Sequence, residues 1–363
     1  MKSHLKLICL FLARTGGLFR VSRWLTRHDL RLLCYHGGRI GDENEFNPKL
    51  FLSTEIFRAR MQWLKDNKFN LISLDQALAV SAASPPAPLR TAVTFDDGWY
   101  STTSELLPVM AEFNFASTLY LCTSHFLEGS PVLAVTVRYI LWKSGLSRCT
   151  LSGFHSELDG HHELSTEALK DRLADSIVAA INRACAENNE SAKWLERFAE
   201  QLGVPAADLN LGTRRFSYAS AAELRVAAHS GCSIELHGHI HDYPLGNPPK
   251  LLADLTTCAQ VIMAAGLPAP KHYCYPSGRF DKGASTVLEG LNVISATTCV
   301  PGFIRDIDAD QRYYLPRFLD GENIPELVFQ AEMSGFLELL RRVFRGVGRR
   351  KSPITINSNS LPI

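Results

Sequence analysis

No two cysteines of this chain stand in a C-x-x-C pair. Nine are present (Cys9, Cys34, Cys122, Cys149, Cys185, Cys232, Cys258, Cys274, Cys299), an odd number scattered singly through apolar runs. That spacing speaks against a cysteine zinc site or a disulfide framework and fits reduced core thiols of the cytoplasm. Net charge is also nearly absent. The 38 Lys and Arg face 37 Asp and Glu, for a formal +1, so there is no general case for nucleic acid as a partner. Repeats and low-complexity tracts are missing. Apolar side chains are plentiful, 46% of 363 residues, enough for a sizeable core. The length predicts one large domain with an insertion, or two domains.

The N-terminal apolar run Leu5 to Ala13 is too short to span a bilayer. It has the look of a short signal core, but Arg14 cuts it off, and Arg20, Arg23 and Arg27 follow. Residues 1–28 therefore read as a basic amphipathic segment that packs on the domain or rests on a membrane surface. The run Phe336 to Lys351 has the same character, with Arg341, Arg342, Arg345, Arg349 and Arg350 beside Leu339, Leu340, Val343 and Phe344. Each alone reads as a solvated helix face, and the two together open the alternative of peripheral membrane contact. Residues 352–363 read as a disordered tail.

Between these ends, strands alternate with helices. Leu30 to Tyr35, Phe69 to Ile72, Thr91 to Phe95, Ser117 to Cys122, Cys232 to Leu236, His272 to Tyr275 and Asn292 to Thr298 read as strands. Phe57, Met61 and Leu64 recur at helical spacing after Ser53 or Thr54, and Ser220 caps a second helix. Residues 81–89, rich in Ala, Ser and Pro, form a loop. The alternation predicts a mainly parallel α/β sheet. Residues 126–215 break the rhythm and read as a helical insertion. It splits the sheet-forming chain into residues 29–125 and 216–322, and basic helices follow over 323–351.

Several strand ends carry chemistry. The run Thr91 to Phe95 ends in Asp96, Asp97 and Gly98. Two acids so close do not both stay charged unless a cation is near or one holds a proton. An Asp-Asp-Gly turn without function explains the stretch alone equally well. His237, His239 and His241 follow the strand Cys232 to Leu236. On an extended segment all three share one face, and imidazole suits zinc and similar cations. His36 and the turn Pro276-Ser277-Gly278 also follow apolar strands. In parallel sheets such ends gather in one place, where sites form.

Thr94-Phe95-Asp96-Asp97-Gly98, His237-xxx-His241 and Tyr275-Pro276-Ser277-Gly278 resemble, in order and placement, the first three motifs of the polysaccharide deacetylases of carbohydrate esterase family 4. The resemblance covers roughly residues 30–125 and 215–320. It implies a distorted (β/α) barrel of about seven mainly parallel strands. It also implies removal of N-acetyl, or sometimes O-acetyl, groups from sugars with one divalent metal, zinc first and cobalt, nickel or manganese as alternatives. Carried over by residue, Asp96 is the general base, and Asp97, His237 and His241 are the metal ligands. The Ser277 N–H holds the oxyanion, since Pro276 has no N–H to give. Tyr275 and His239 fall on the substrate side, with His239 alternatively a ligand. Trp99 and Tyr100 stack on a sugar ring or pack in the core.

Two positions depart from the family pattern. The arginine expected two residues before Pro276 is replaced by Cys274, and Arg317 is the candidate substitute. The C-terminal leucine-x-histidine motif is absent, because no histidine follows His272. Cys34-Tyr35-His36 after the first strand resembles instead the circularly permuted branch, which includes poly-N-acetylglucosamine deacetylases. There His36 is the general acid, and Asp320 is a candidate to pair with its other nitrogen. The expectation is a metal-dependent deacetylase of an N-acetylated polysaccharide, oligosaccharide or lipid-linked glycan, cytoplasmic and peripheral at the inner membrane. A signal at the N-terminus would place it outside instead. A catalytically silent glycan-binding protein of the same fold and an O-acetyl esterase are the rivals.

Overall fold

The computed structural model describes residues 2–79, 87–185, 190–307 and 311–347. Most of the loop over 81–89, the basic run over 348–351 and the tail over 352–363 therefore lie outside the described residues. The main sheet is built from β1 (Arg31–Tyr35), β2 (Asn70–Leu71), β3 (Arg90–Phe95), β4 (Ser117–Leu121), β5 (Cys232–Leu236), β6 (His272–Cys274), β7 (Ser295–Thr297) and β8 (Phe318–Leu319). Seven follow one path, β7-β6-β5-β4-β3-β1-β8, and β2 pairs β3 off that path. Every pairing among them is parallel. Leu315, just before β8, makes a parallel bridge to Thr297 in β7. The segment that leads into β8 thus ties the last strand back toward the first, and the sheet curls into the expected distorted barrel.

Strand residues alternate between two apolar layers. Leu33, Tyr35, Val93, Phe95, Leu119 and Leu121 join the large core beneath the surrounding helices. Leu32, Ala92, Tyr120, Cys274 and Leu315 form a smaller cluster with Leu30 and Ile304. Residues of β1, β3 and β4 are buried throughout, as parallel strands covered on both faces require.

The register aligns the strand ends. Tyr35 lies opposite Phe95, so His36 and Asp96 leave the sheet side by side. Leu121 lies opposite Leu236, and Leu236 opposite Tyr273, so His237 emerges between Cys122 and Cys274.

Helices α1 (Lys2–Thr15) and α2 (Leu18–Leu25) precede the barrel, and α3 (Thr54–Asp66) crosses after β1. Ser53 sits at the N-cap of α3, but its hydroxyl goes to Glu322 and makes no cap bond. The segment 126–215 contains α4 (Leu133–Ser144), α5 (Glu167–Ala184) and α6 (Ser191–Gln201). It also forms an antiparallel hairpin, Arg148–Leu151 with Gly160–Glu163, so the insertion is not wholly helical. Buried Ile177, Ile181, Leu195 and Phe198 join these helices to the main core. After it come α7 (Ala221–His229), α8 (Pro248–Ala264) and α9 (Ala284–Gly290). Ser220 caps α7 in a reciprocal capping box with Glu223. The described chain ends in α10 (Glu326–Met333) and α11 (Phe336–Val347).

Candidate active site

Asp96 and Asp97 part company through a backbone turn. Asp97 has φ 76° and Gly98 φ 107°. A left-handed aspartate costs on the order of 1–3 kcal/mol and persists only where the surroundings enforce it. Here the Asp97 carbonyl accepts the Cys122 N–H at 2.9 Å and the Gly98 carbonyl accepts the Ala219 N–H at 2.9 Å. A Cβ on Gly98 would come within 2.4 Å of the Leu121 side chain. The turn therefore starts one residue earlier than Gly98, at Asp97 itself.

Asp97 faces two imidazoles. Its Oδ1 lies 3.3 Å from His237 Nε2 and 3.3 Å from His241 Nε2. Its Oδ2 accepts a hydrogen bond from Trp99 Nε1 at 2.8 Å. Oδ1 is buried and has no hydrogen-bond partner. His237 Nδ1 meets the Cys274 carbonyl oxygen at 2.9 Å. A carbonyl only accepts, so this bond places the proton on Nδ1 and turns the Nε2 lone pair inward. Burial opposes charge on Asp97; positive charge at the two imidazoles, or a cation in place of their Nε2 protons, outweighs it and holds the carboxyl well below its usual range. An orphaned carboxylate oxygen and two Nε2 atoms, all within 4.8 Å of one another, are a donor set that fits a divalent cation.

Asp96 is held quite differently. Arg317 Nη1 donates to Oδ1 at 2.7 Å and Nη2 to Oδ2 at 2.8 Å. Arg317 is fully buried, and it also donates to the Thr298 carbonyl (3.1 Å) and to Thr94 Oγ1 (3.0 Å). Burial alone would raise the Asp96 pKa, but Arg317 outweighs it and keeps the group ionised at neutral pH, with smaller help from His237 and His36. Cys34 Sγ and Cys274 Sγ each lie 3.4 Å from Oδ2. Cys274 Sγ is also 3.0 Å from Arg317 Nη2. The position where the family pattern has its arginine thus touches the guanidinium that arrives from residue 317. His36 Nε2 is 4.0 Å from Asp96 Oδ2, and its side chain is 16% exposed.

Four expectations need correction. The three histidines do not share an extended face. The strand stops at Leu236, Gly238 takes φ 91°, and His239 turns to bond Thr123 Oγ1 at 3.0 Å. Trp99 is 1% exposed and packs against Phe51 and Tyr218, so it cannot stack on a sugar. Its part is the hydrogen bond to Asp97. Tyr275 is fully buried among Tyr243, Tyr273, Phe280 and Tyr314, so its ring does not reach a substrate. Asp320 does not pair with His36. Its Oδ2 takes Tyr35 Oη at 3.0 Å and Arg60 Nε at 3.2 Å, while His36 Nδ1 is buried without a partner.

Pro276 is buried and Ser277, with φ 53°, is half-buried in the short helical turn Pro276–Gly278 beyond β6. The thiols around Asp96 and the indole N–H on Asp97 escaped sequence reasoning. Cys34 and Cys274 do carry a signal, since each lies two residues or fewer before a residue already suspected.

The polysaccharide deacetylase family model matches residues 188–294. That stretch contains His237, His241 and the Tyr275 to Gly278 turn but not Asp96 or Asp97. The fold is shared with a Streptococcus pyogenes deacetylase, PplD, solved with acetate. That match has a TM-score of 0.55 and 14% identity, over 85% of this chain and 99% of that one. Residues 188–294 thus carry the sequence pattern of that family, and the chain shares the fold of the deacetylases. IcaB from Ammonifex degensii aligns at TM-score 0.52 and 12% identity, covering 85% of this chain and 97% of that one. A de-N-acetylase from Aggregatibacter actinomycetemcomitans aligns at 0.51 and 13%, covering 84% and 99%. At these identities the structural likeness is one of fold. No curated protein matches.

Proposed function

We propose that this chain is a polysaccharide deacetylase, a metal-dependent hydrolase acting on N-acetylated sugars of a polysaccharide, oligosaccharide or lipid-linked glycan. The observation that carries the reading is the division between the two adjacent carboxylates. Asp97 offers a bare oxygen to two inward-facing imidazole nitrogens, while both oxygens of Asp96 are taken by Arg317. Asp97, His237 and His241 would hold the cation. Zinc suits this donor set, with cobalt, nickel and manganese as alternatives. A bound divalent cation supplies Lewis acidity, which acidifies water and polarises an acyl oxygen.

The chain's own residues do the rest. Arg317 fixes the Asp96 carboxylate plane, so that Asp96 accepts a proton as general base without moving. His36 donates a proton to the departing sugar amine. The Ser277 N–H is the donor assigned to the developing oxyanion. Trp99 orients Asp97, and the Cys274 carbonyl orients His237.

The silent-protein reading drew on two missing family residues. Arg317 on Asp96 and His36 beside it weaken that ground. Paired N-acetyl and O-acetyl oligosaccharides test the reading. Acetate and a free amine should form from the N-acetyl sugar in the presence of zinc or cobalt. Acetate from the O-acetyl sugar alone would make the protein an esterase. Binding of glycan without any acetate would leave a silent homologue.

A further inference from the structure

We propose that α1, α2 and α11 form a docking surface for an anionic phospholipid bilayer. The first observation is a pair of helices that are apolar on two sides. The inner stripe, Leu10, Ala13 and Phe19, packs on Val328 and Ala331 of α10. The outer stripe has no such cover. Leu5, Ile8 and Leu12 of α1, Val21 and Trp24 of α2 and Phe344 of α11 are exposed, from 54% at Val21 to 71% at Phe344. Helix α1 packs on α2 and α10, and α11 packs on α2 and α10, so the exposed side chains belong to one bundle. A covered globular helix keeps one apolar stripe, and a second stripe of this size marks a binding surface.

The second observation is charge. Residues 1–28 and 339–363 hold twelve of the chain's 38 Lys and Arg and none of its 37 Asp and Glu. The span between them is left with 26 cations against 37 acids. A chain of nearly zero net charge thus has its excess of cations at its two ends; on the described helices Arg341 and Arg342 are paired with Glu332, Glu338 and Asp29, and the cations left to face an anionic surface are those of α1 and α2. Lys6 and Arg20 are exposed on α1 and α2 themselves. Apolar side chains, a Trp and flanking cations match the boundary of an anionic leaflet. A second copy of this chain fits less well, because a two-fold interface would set the same cations against each other.

The helices lie on a bilayer rather than cross it. No helix among the described residues is long and apolar enough to span a membrane. The bundle joins the barrel at the starts of β1 and β3. Arg31 donates to Thr26 Oγ1 at 2.8 Å and to the Met333 carbonyl at 3.0 Å, and the Leu89 N–H donates to the Arg27 carbonyl at 2.6 Å. His36 and Asp96 stand at the other ends of those strands.

Vesicle sedimentation of the full chain tests this. The protein should pellet with vesicles of equal parts phosphatidylglycerol and phosphatidylcholine, and much less with pure phosphatidylcholine. Rising salt should release it, and Trp24 emission should shift to the blue on binding. Leu12→Ser/Val21→Ser, both on the solvent side, should lower partitioning about tenfold or more, and Phe344→Ser on a separate helix should lower it too. Lys6→Glu/Arg20→Glu should remove the preference for anionic lipid. Absence of pelleting, or equal pelleting of these variants, would overturn the proposal. So would a dimer that the same variants dissociate in a protein without vesicle binding. None of these outcomes depends on deacetylase activity.

Discussion

Arg317 closes on Asp96 with two parallel hydrogen bonds of 2.7 and 2.8 Å, across 221 residues of sequence. Both side chains are buried. The pair joins the segment entering β8 to the end of β3, two elements that do not neighbour each other in the sheet. Its geometry explains why two adjacent carboxylates can differ in role.

Breaking that pair should be costly for folding as well as activity. Arg317→Met leaves a buried carboxylate without its partner and should lower unfolding free energy by about 3–5 kcal/mol. Adding Asp96→Asn should recover most of that loss, since the orphaned charge is gone. Urea unfolding of the two single variants and the double variant measures the coupling. Additive losses would show that the bond contributes little.

Trp99→Phe should keep the packing against Phe51 and Tyr218 but remove the N–H that reaches Asp97 Oδ2. Groups that orient a metal ligand are worth roughly 10–100-fold in affinity. Calorimetric titration of the folded variant with zinc should show a loss of that order. Unchanged affinity would make the contact a packing detail.

His36→Gln should lower kcat by about 10²–10⁴-fold, the usual worth of a general acid, with KM changed little. The loss should shrink for substrates whose leaving group needs no proton, such as an activated acetyl ester. An equal loss on both substrates would assign His36 to positioning instead.

Asp320 gives the fold a pH dependence of its own. Burial pushes its carboxyl up to about 6, against the pull of Arg60 and Tyr35. The folded state then holds a proton that the unfolded chain has already released, so stability falls as pH rises from about 4 to about 6 and is level above. The drop is on the order of 3 kcal/mol from a shift of about two units. Asp320→Asn should lack this slope. Urea midpoints of both proteins across that window provide the check, and parallel profiles would contradict it.

Much of this site was legible because its chemistry sits at strand ends in short, dense patterns. Asp96 with Asp97, His237 with His241, and His36 each follow an apolar run, and parallel registers bring such ends together. Arg317 was a candidate from its place beside Pro316 at a later strand, as the substitute for the arginine missing at Cys274, but nothing local in Leu315-Pro316-Arg317 shows that it reaches Asp96. Trp99 and Tyr275 were misjudged because sequence shows an aromatic side chain but not what covers it. The alternation of His237, His239 and His241 suggested a strand, and the left-handed Gly238 ends that pattern at the first histidine. The hairpin at Arg148–Leu151 was hidden because each strand is only four residues long and its partner Gly160–Glu163 carries no apolar side chain.

The most direct test compares acetate release and cation content in wild type, Asp96→Asn and His237→Ala. Each is loaded with zinc or cobalt and given an N-acetylated glucosamine oligosaccharide. Wild type should release acetate and expose one amine per acetate. Asp96→Asn should hold the cation but release essentially none, while His237→Ala should lose the cation and activity together. Normal turnover by Asp96→Asn, or a cation-loaded wild type that releases no acetate, would contradict the account.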